Sequence, residues 1–217
     1  MTVEVKICGL TRAIDAEYAD AAGAAYLGVI FAGGPRQRSP LEARATLAGR
    51  RARKVGVFAS QSDAEIAGIA AMVGLDVVQL HADDADADRI RAVRAATGLE
   101  VWAVVRTADG ILPESAEEQA EAADALLIDA CAPGQLGGTG ITVPWGVLGE
   151  SLDGMEAGHR IVLAGGLTAD NVAEAISYVS PMIVDVSSGV ESAPGVKDHA
   201  RIRAFVAAVR ATSDLSE

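Results

Sequence analysis

The chain has 217 residues, half of them hydrophobic, and 30 acidic against 18 basic side chains give a formal net charge of −12. That length and apolar content suit one domain, residues 1–217, with a substantial core. The negative field argues against a nucleic-acid or membrane-surface partner and requires any anionic ligand to be held by local donors.

Residues 3–8 form the first predicted strand, with Val3, Val5 and Ile7 on one face and Glu4, Lys6 and Cys8 on the other. A parallel strand covered by helices on both sides is apolar on both faces. An ammonium and a thiol on one face suit instead the mouth of a closed barrel, where the C-terminal strand ends carry chemistry. The plain alternative is that Cys8 is a small buried hydrophobe, as most free cysteines are. Gly9 lets the chain turn, and Thr11 is expected to cap a helix over 11–22. Further strands are predicted at 25–31, 54–59, 76–80, 100–105, 125–129, 160–164 and 182–186. Helices are predicted at 40–52, 62–73, 84–97, 113–122, 144–152, 168–179 and 197–211, with Pro40 and Pro144 at first turns and Gly74 and Gly98 at ends. Eight strand–helix units predict an α/β fold with a parallel eight-stranded sheet. Eight repeats favour closure into a single (βα)8 TIM barrel over an open doubly wound sheet. The missing Gly-x-Gly-x-x-Gly after the first strand weakens that competitor further.

The polar residues fall where a barrel mouth needs them. Lys6, Cys8, Gln79, His81, Arg106, Asp129 and Asp185 all lie at or near C-terminal strand ends. Three glycine-rich turns follow late strands. Gly134 to Gly140, with Gly138 among them, lies in a loop over 130–143, long enough to suggest a lid. Gly165-Gly166 and Ser187-Ser188-Gly189 follow the seventh and eighth strands, the places where barrels usually hold phosphate through backbone N–H groups. An acid–base pair is available in Cys8 and Asp129. The thiol works as a base only when ionised, which a cation such as Lys6 would favour. The carboxyl works as an acid only when protonated, which burial or a neighbour such as Asp185 would favour. Met1-Thr2-Val3-Glu4 lacks the basic and apolar parts of an export signal, and the 21–34 apolar run is too short to span a bilayer. The expected place is cytoplasmic, with Cys8 and Cys131 as free thiols.

Lys6-Ile7-Cys8-Gly9-Leu10-Thr11-Arg12 resembles the opening motif of the phosphoribosylanthranilate isomerase family of tryptophan biosynthesis. The resemblance continues through Arg36-Gln37-Arg38-Ser39-Pro40, Val78-Gln79-Leu80-His81, Leu127-Ile128-Asp129 and Leu163-Ala164-Gly165-Gly166-Leu167. It ends with Asp185-Val186-Ser187-Ser188-Gly189-Val190-Glu191, Pro194-Gly195 and Lys197-Asp198. It implies a (βα)8 barrel that performs an Amadori rearrangement of N-(5-phosphoribosyl)anthranilate to 1-(2-carboxyphenylamino)-1-deoxyribulose 5-phosphate. By the same resemblance Asp129 is the general acid, Cys8 the general base, Arg36 the contact for the anthranilate carboxylate and Asp185 a substrate-binding residue. Gly138, Gly165, Gly166, Ser187, Ser188 and Gly189 are then the phosphate-binding set. The family implies no metal or organic cofactor, a small phosphorylated partner, and a monomer or homodimer. Three departures stand out: Ile141-Thr142-Val143 after the glycine loop, Ala82 after Gln-Leu-His, and Ala164 before Gly165. Two other readings are a different barrel enzyme with Lys6 as acid or Schiff-base lysine, and a phosphate-ligand binding barrel without catalysis.

Overall fold

In the computed structural model, residues 2–81, 85–130, 144–156 and 158–214 are described. Strands β1 (Glu4–Ile7), β2 (Tyr26–Ile30), β3 (Arg53–Phe58), β4 (Val77–Leu80), β5 (Glu100–Thr107), β6 (Ala125–Ala130), β7 (Ile161–Ala164) and β8 (Ile183–Val186) pair in sequence order as a closed barrel. All pairs are parallel, and β1 closes the ring on β8 with Lys6 opposite Asp185. Helices α1 (Ala13–Ala22), α2 (Pro40–Leu47), α3 (Asp63–Val73), α4 (Ala87–Thr97), α5 (Ala116–Ala122), α6 (Trp145–Asp153), α7 (Val172–Val179) and α8 (His199–Asp214) surround it. A 3-10 turn at Ser188–Val190 and an antiparallel hairpin, β9 (Glu191–Ala193) with β10 (Val196–Lys197), separate β8 from α8. Among the described residues no helix is long and apolar enough to cross a membrane.

The period-2 alternation sorts each strand into two cores. Val5, Ile7, Leu27, Val29, Val78, Leu80, Leu126, Ile128 and Leu163 point outward and pack on helix residues such as Ala16, Ile66, Ile90, Leu148 and Phe205. Tyr26, Val55, Val77, Trp102, Leu127, Val162 and Ile183 fill the interior. The N-terminal end is closed by charge. Arg160 bonds Glu100 at 2.7 Å and the Tyr26 hydroxyl, Arg53 bonds Glu100 at 2.6 Å, and the Trp102 indole donates to Glu100 at 2.8 Å. The barrel is thus plugged below, and its other end is left to the side chains at the C-terminal strand ends.

Helix starts are set locally. Ser39 with Glu42 and Ser62 with Glu65 form reciprocal capping boxes on α2 and α3, and Asp86 caps α4 through the Arg89 N–H; each such cap is worth about 1 kcal/mol. Gly74 and Gly98 end α3 and α4 in the left-handed region, as predicted. Thr11 does not cap α1. Arg12 holds that position without a side-chain capping bond, and the Thr11 hydroxyl donates instead to the Gly195 carbonyl at 2.5 Å. Helix α2 stops at Leu47, short of the predicted 52, because Ala48 is extended and Gly49 is left-handed. The Asp20 carboxylate then accepts the N–H groups of Arg51 and Ala52, drawing the chain out into β3. Helix α7 begins at Val172 rather than 168, since the Asn171 side chain ties the preceding turn through Thr168 N–H and Gly166 C=O.

Candidate active site

The site begins one layer above the interior core. Lys6 is fully buried, and its Nζ crosses the barrel to donate to Gln79 Oε1 on β4 at 2.9 Å and to Asp185 Oδ2 on β8 at 2.6 Å. Burial alone would lower the Lys6 pKa, but the Asp185 charge, helped by Cys8, outweighs it and raises it. Lys6 is therefore an ammonium held by a carboxylate, and it has no free amine with which to form a Schiff base. Removing one partner from a buried pair of this kind costs about 3–5 kcal/mol, because the other charge is stranded. The second oxygen of Asp185, Oδ1, is buried and has no hydrogen-bond partner among the described residues.

Cys8 follows β1 on the inward face and is a buried free thiol. Its seat is made by Gly28 on β2: a Cβ there would lie 2.8 Å from Cys8 Sγ and 3.1 Å from its Cα. Burial pushes the thiol above its ordinary range, although Lys6 and Lys197 pull it down, and Asp185 adds to the rise. Lys6 does favour the ionised thiol, as the sequence suggested, but burial outweighs it, and Lys6 is itself paired with Asp185. Asp129 stands inward near the end of β6, opposite Arg106 on β5 and Ala164 on β7. Burial raises its pKa too, against His81 and Arg106 and with Asp185. Arg106 meets His81 Nε2 at 2.5 Å.

Arg36, in the loop after β2, is brought to the same rim, but through a residue to which the sequence assigned no role. Its Nε and Nη2 make a two-bonded pair with Glu191 at 2.9 and 2.7 Å. Gly9 lies beneath it at φ +68°, and a Cβ there would come within 2.7 Å of Arg36 Cδ and 2.8 Å of Ser187 Oγ. Lys197, also buried, donates to the same Glu191 carboxylate at 2.8 Å and to the Ser187 carbonyl at 2.9 Å. Burial lowers the Lys197 pKa despite Glu191. Glu191 and Lys197 occur in the matched motifs, but their pairing needs the hairpin, which has too few residues to show a strand pattern. The loops after β7 and β8 pack directly on each other, since a Cβ on Gly189 would meet the Leu167 carbonyl oxygen at 2.0 Å. Gly165 is equally tight against the Ala130 backbone, whereas Gly166, at φ +64°, faces open space. Gly165, Gly166, Ser187, Ser188 and Gly189 are therefore neighbours, while Gly138, Cys131 and Ala82 lie outside the described residues.

A closed parallel barrel with a buried thiol, a raised carboxyl and an arginine gathered at its C-terminal mouth has the form of a (βα)8 enzyme. A family model described as N-(5'phosphoribosyl)anthranilate (PRA) isomerase matches residues 5–208, and the chain belongs to that family. An N-(5'-phosphoribosyl)anthranilate isomerase of Paracoccus denitrificans is 44% identical, across 99% of this chain and all of its own length. One from Chromohalobacter salexigens is 45% identical, across 96% of this chain and 94% of its own. Among solved structures, the phosphoribosyl anthranilate isomerase of Thermotoga maritima superimposes with a TM-score of 0.82 at 32% identity, covering 97% of this chain and 100% of that one. A phosphoribosyl anthranilate isomerase in complex with reduced 1-(o-carboxyphenylamino)-1-deoxyribulose 5-phosphate gives 0.79 at 31% identity, with 97% of this chain and 100% of that one covered.

Proposed function

We propose that this chain catalyses the phosphoribosylanthranilate isomerase step of tryptophan biosynthesis, with Asp129 as general acid and Cys8 as general base. The observation that carries the reading is that both residues stand near strand ends facing one barrel interior, with burial biasing Asp129 toward the acid form its role needs and Lys6 and Lys197 pulling the Cys8 thiol toward ionisation against its own burial. Asp129 gives its proton to the ribose ring oxygen as the C1–O bond breaks, and the anthranilate nitrogen supplies the electron pair that leaves a protonated Schiff base. Cys8, as thiolate, takes the proton from C2; the freed pair forms the C1=C2 bond and neutralises the nitrogen. The enolamine then gains a proton at C1 and loses one from the C2 hydroxyl, which yields the aminoketose.

Binding follows the same geometry. The Gly166 turn and the Ser188–Val190 turn offer backbone donors to the phosphate, in a chain whose net charge repels anions. Arg36 offers its remaining N–H groups to the anthranilate carboxylate, and Asp185 Oδ1 is a lone acceptor for a sugar hydroxyl. No step is routed through a metal or organic cofactor. The functional unit is a monomer or homodimer; a Thermotoga maritima relative is described as dimeric and has been made as monomers. A barrel that only bound such a ligand would need neither a buried thiol nor a carboxyl biased toward its acid form.

The working state has Cys8 ionised and Asp129 protonated, and burial raises both groups from their ordinary ranges. Between the two pKa values the pair holds one proton, and the share of molecules carrying it on Asp129 does not change with pH. A profile of kcat/KM is therefore expected to be bell-shaped, with its two limbs displaced upward from the ordinary carboxylate and thiol ranges. It falls on the acid side as both groups hold protons, and on the alkaline side as both lose them. Activity that rises with pH and shows no alkaline fall would show that Asp129 protonation is not required.

A further inference from the structure

We infer that Glu191 is the positioning residue for Arg36: it grips the guanidinium by its Nε/Nη2 edge and so aims the remaining N–H groups at the substrate carboxylate. The inference rests on the proposed substrate and extends it to a residue given no role in binding or catalysis. The grip is built from several sides. Glu191 is 6% exposed and takes Arg36 at two points, while Lys197, 3% exposed, holds the same carboxylate on Oε1. The hairpin carrying both is pinned to the β1–α1 loop, where Thr11 donates to Gly195, and to the first turn of α1, where Asp15 accepts the Lys197 N–H at 3.2 Å and also meets His199 Nε2, at the start of α8, at 2.9 Å. From below, Gly9 leaves room for the arginine stem. An arginine free at a loop has four rotatable bonds to order when it meets a ligand; held in this fork, it has already lost them. Lys197 also offsets the Glu191 charge, so the trio of Arg36, Glu191 and Lys197 keeps a net charge of +1 toward an anion.

The opposing account has a definite sign. If Glu191 merely competes with the substrate carboxylate for Arg36, removing its charge tightens binding; if it positions Arg36, removal loosens it. The test measures dissociation constants of reduced 1-(o-carboxyphenylamino)-1-deoxyribulose 5-phosphate, and of the same compound lacking the carboxyl group, on wild type, Glu191→Gln and Glu191→Asp. Glu191→Gln should weaken the carboxylated ligand about tenfold, the scale of part of one charge-assisted pair, and the descarboxy ligand less than twofold. Glu191→Asp keeps the charge but shortens the reach by one methylene, and it should weaken the first ligand in the same direction. Tighter binding by Glu191→Gln, or an aspartate variant that binds as wild type does, overturns the inference. Equal weakening of both ligands overturns it as well, because that marks general damage to the rim. Wild type that binds neither compound defeats the functional reading itself, an outcome visible before any variant is made.

Discussion

Cys8→Ser lowers kcat for phosphoribosylanthranilate by about 10²–10⁴, the range expected when a positioned general base is lost, while KM moves only a few fold. Serine keeps the shape of the side chain in the seat that Gly28 leaves, so binding survives. What it lacks is ionisation: a buried hydroxyl has no anionic form in the working range, whereas the thiol, though raised by burial, has Lys6 and Lys197 pulling it back. Steady-state fluorescence kinetics and a melting curve on the same preparation check this. A folded variant retaining activity within tenfold would remove Cys8 from the chemistry and return it to the role of a small buried hydrophobe.

Asp129→Asn has an effect of similar size for the opposite reason. The amide has nearly the shape of the protonated carboxyl and can donate a hydrogen bond to the ring oxygen, but it cannot pass the proton across. Ring opening then relies on water, and kcat falls by about 10²–10⁴. The reduced product should still bind to within a few fold, since its open chain asks for no proton. The two variants differ in the isotope effect at C2. With substrate deuterated at C2, Cys8→Ser, slowed at proton abstraction, should show a full primary isotope effect on kcat, and Asp129→Asn, slowed at ring opening, should show almost none. A full isotope effect in the asparagine variant would mean that Asp129, not Cys8, works at C2.

The barrel could be read from the chain because its alternation is strict. One residue in two along each strand is apolar and meets a helix, and the other set is apolar in the middle and polar at its two ends, with Glu4, Arg53, Glu100 and Arg160 below and Lys6, Gln79, His81, Arg106, Asp129 and Asp185 at the C-terminal ends. In a barrel of parallel strands the C-terminal set marks the mouth. Three things depend on distance through space and were not readable. The thiol's bias is one: a cation two residues away in sequence favours ionisation, but the burial that outweighs it, and the Asp185 that pairs with that cation, belong to the fold. Thr11 is another, since a threonine before a helix reads as a cap until the hairpin brings the Gly195 carbonyl to it. The third is Arg36, whose partner Glu191 sits on a strand of three residues, too short for any period to reveal.

The central claim is tested most directly by following freshly generated N-(5'-phosphoribosyl)anthranilate with the wild-type protein in a metal-free buffer containing chelator. Its fluorescence should decay at a rate proportional to enzyme concentration, and 1-(2-carboxyphenylamino)-1-deoxyribulose 5-phosphate should accumulate mole for mole. Binding of the reduced product without any consumption of substrate would contradict the account and leave a ligand-binding barrel in its place.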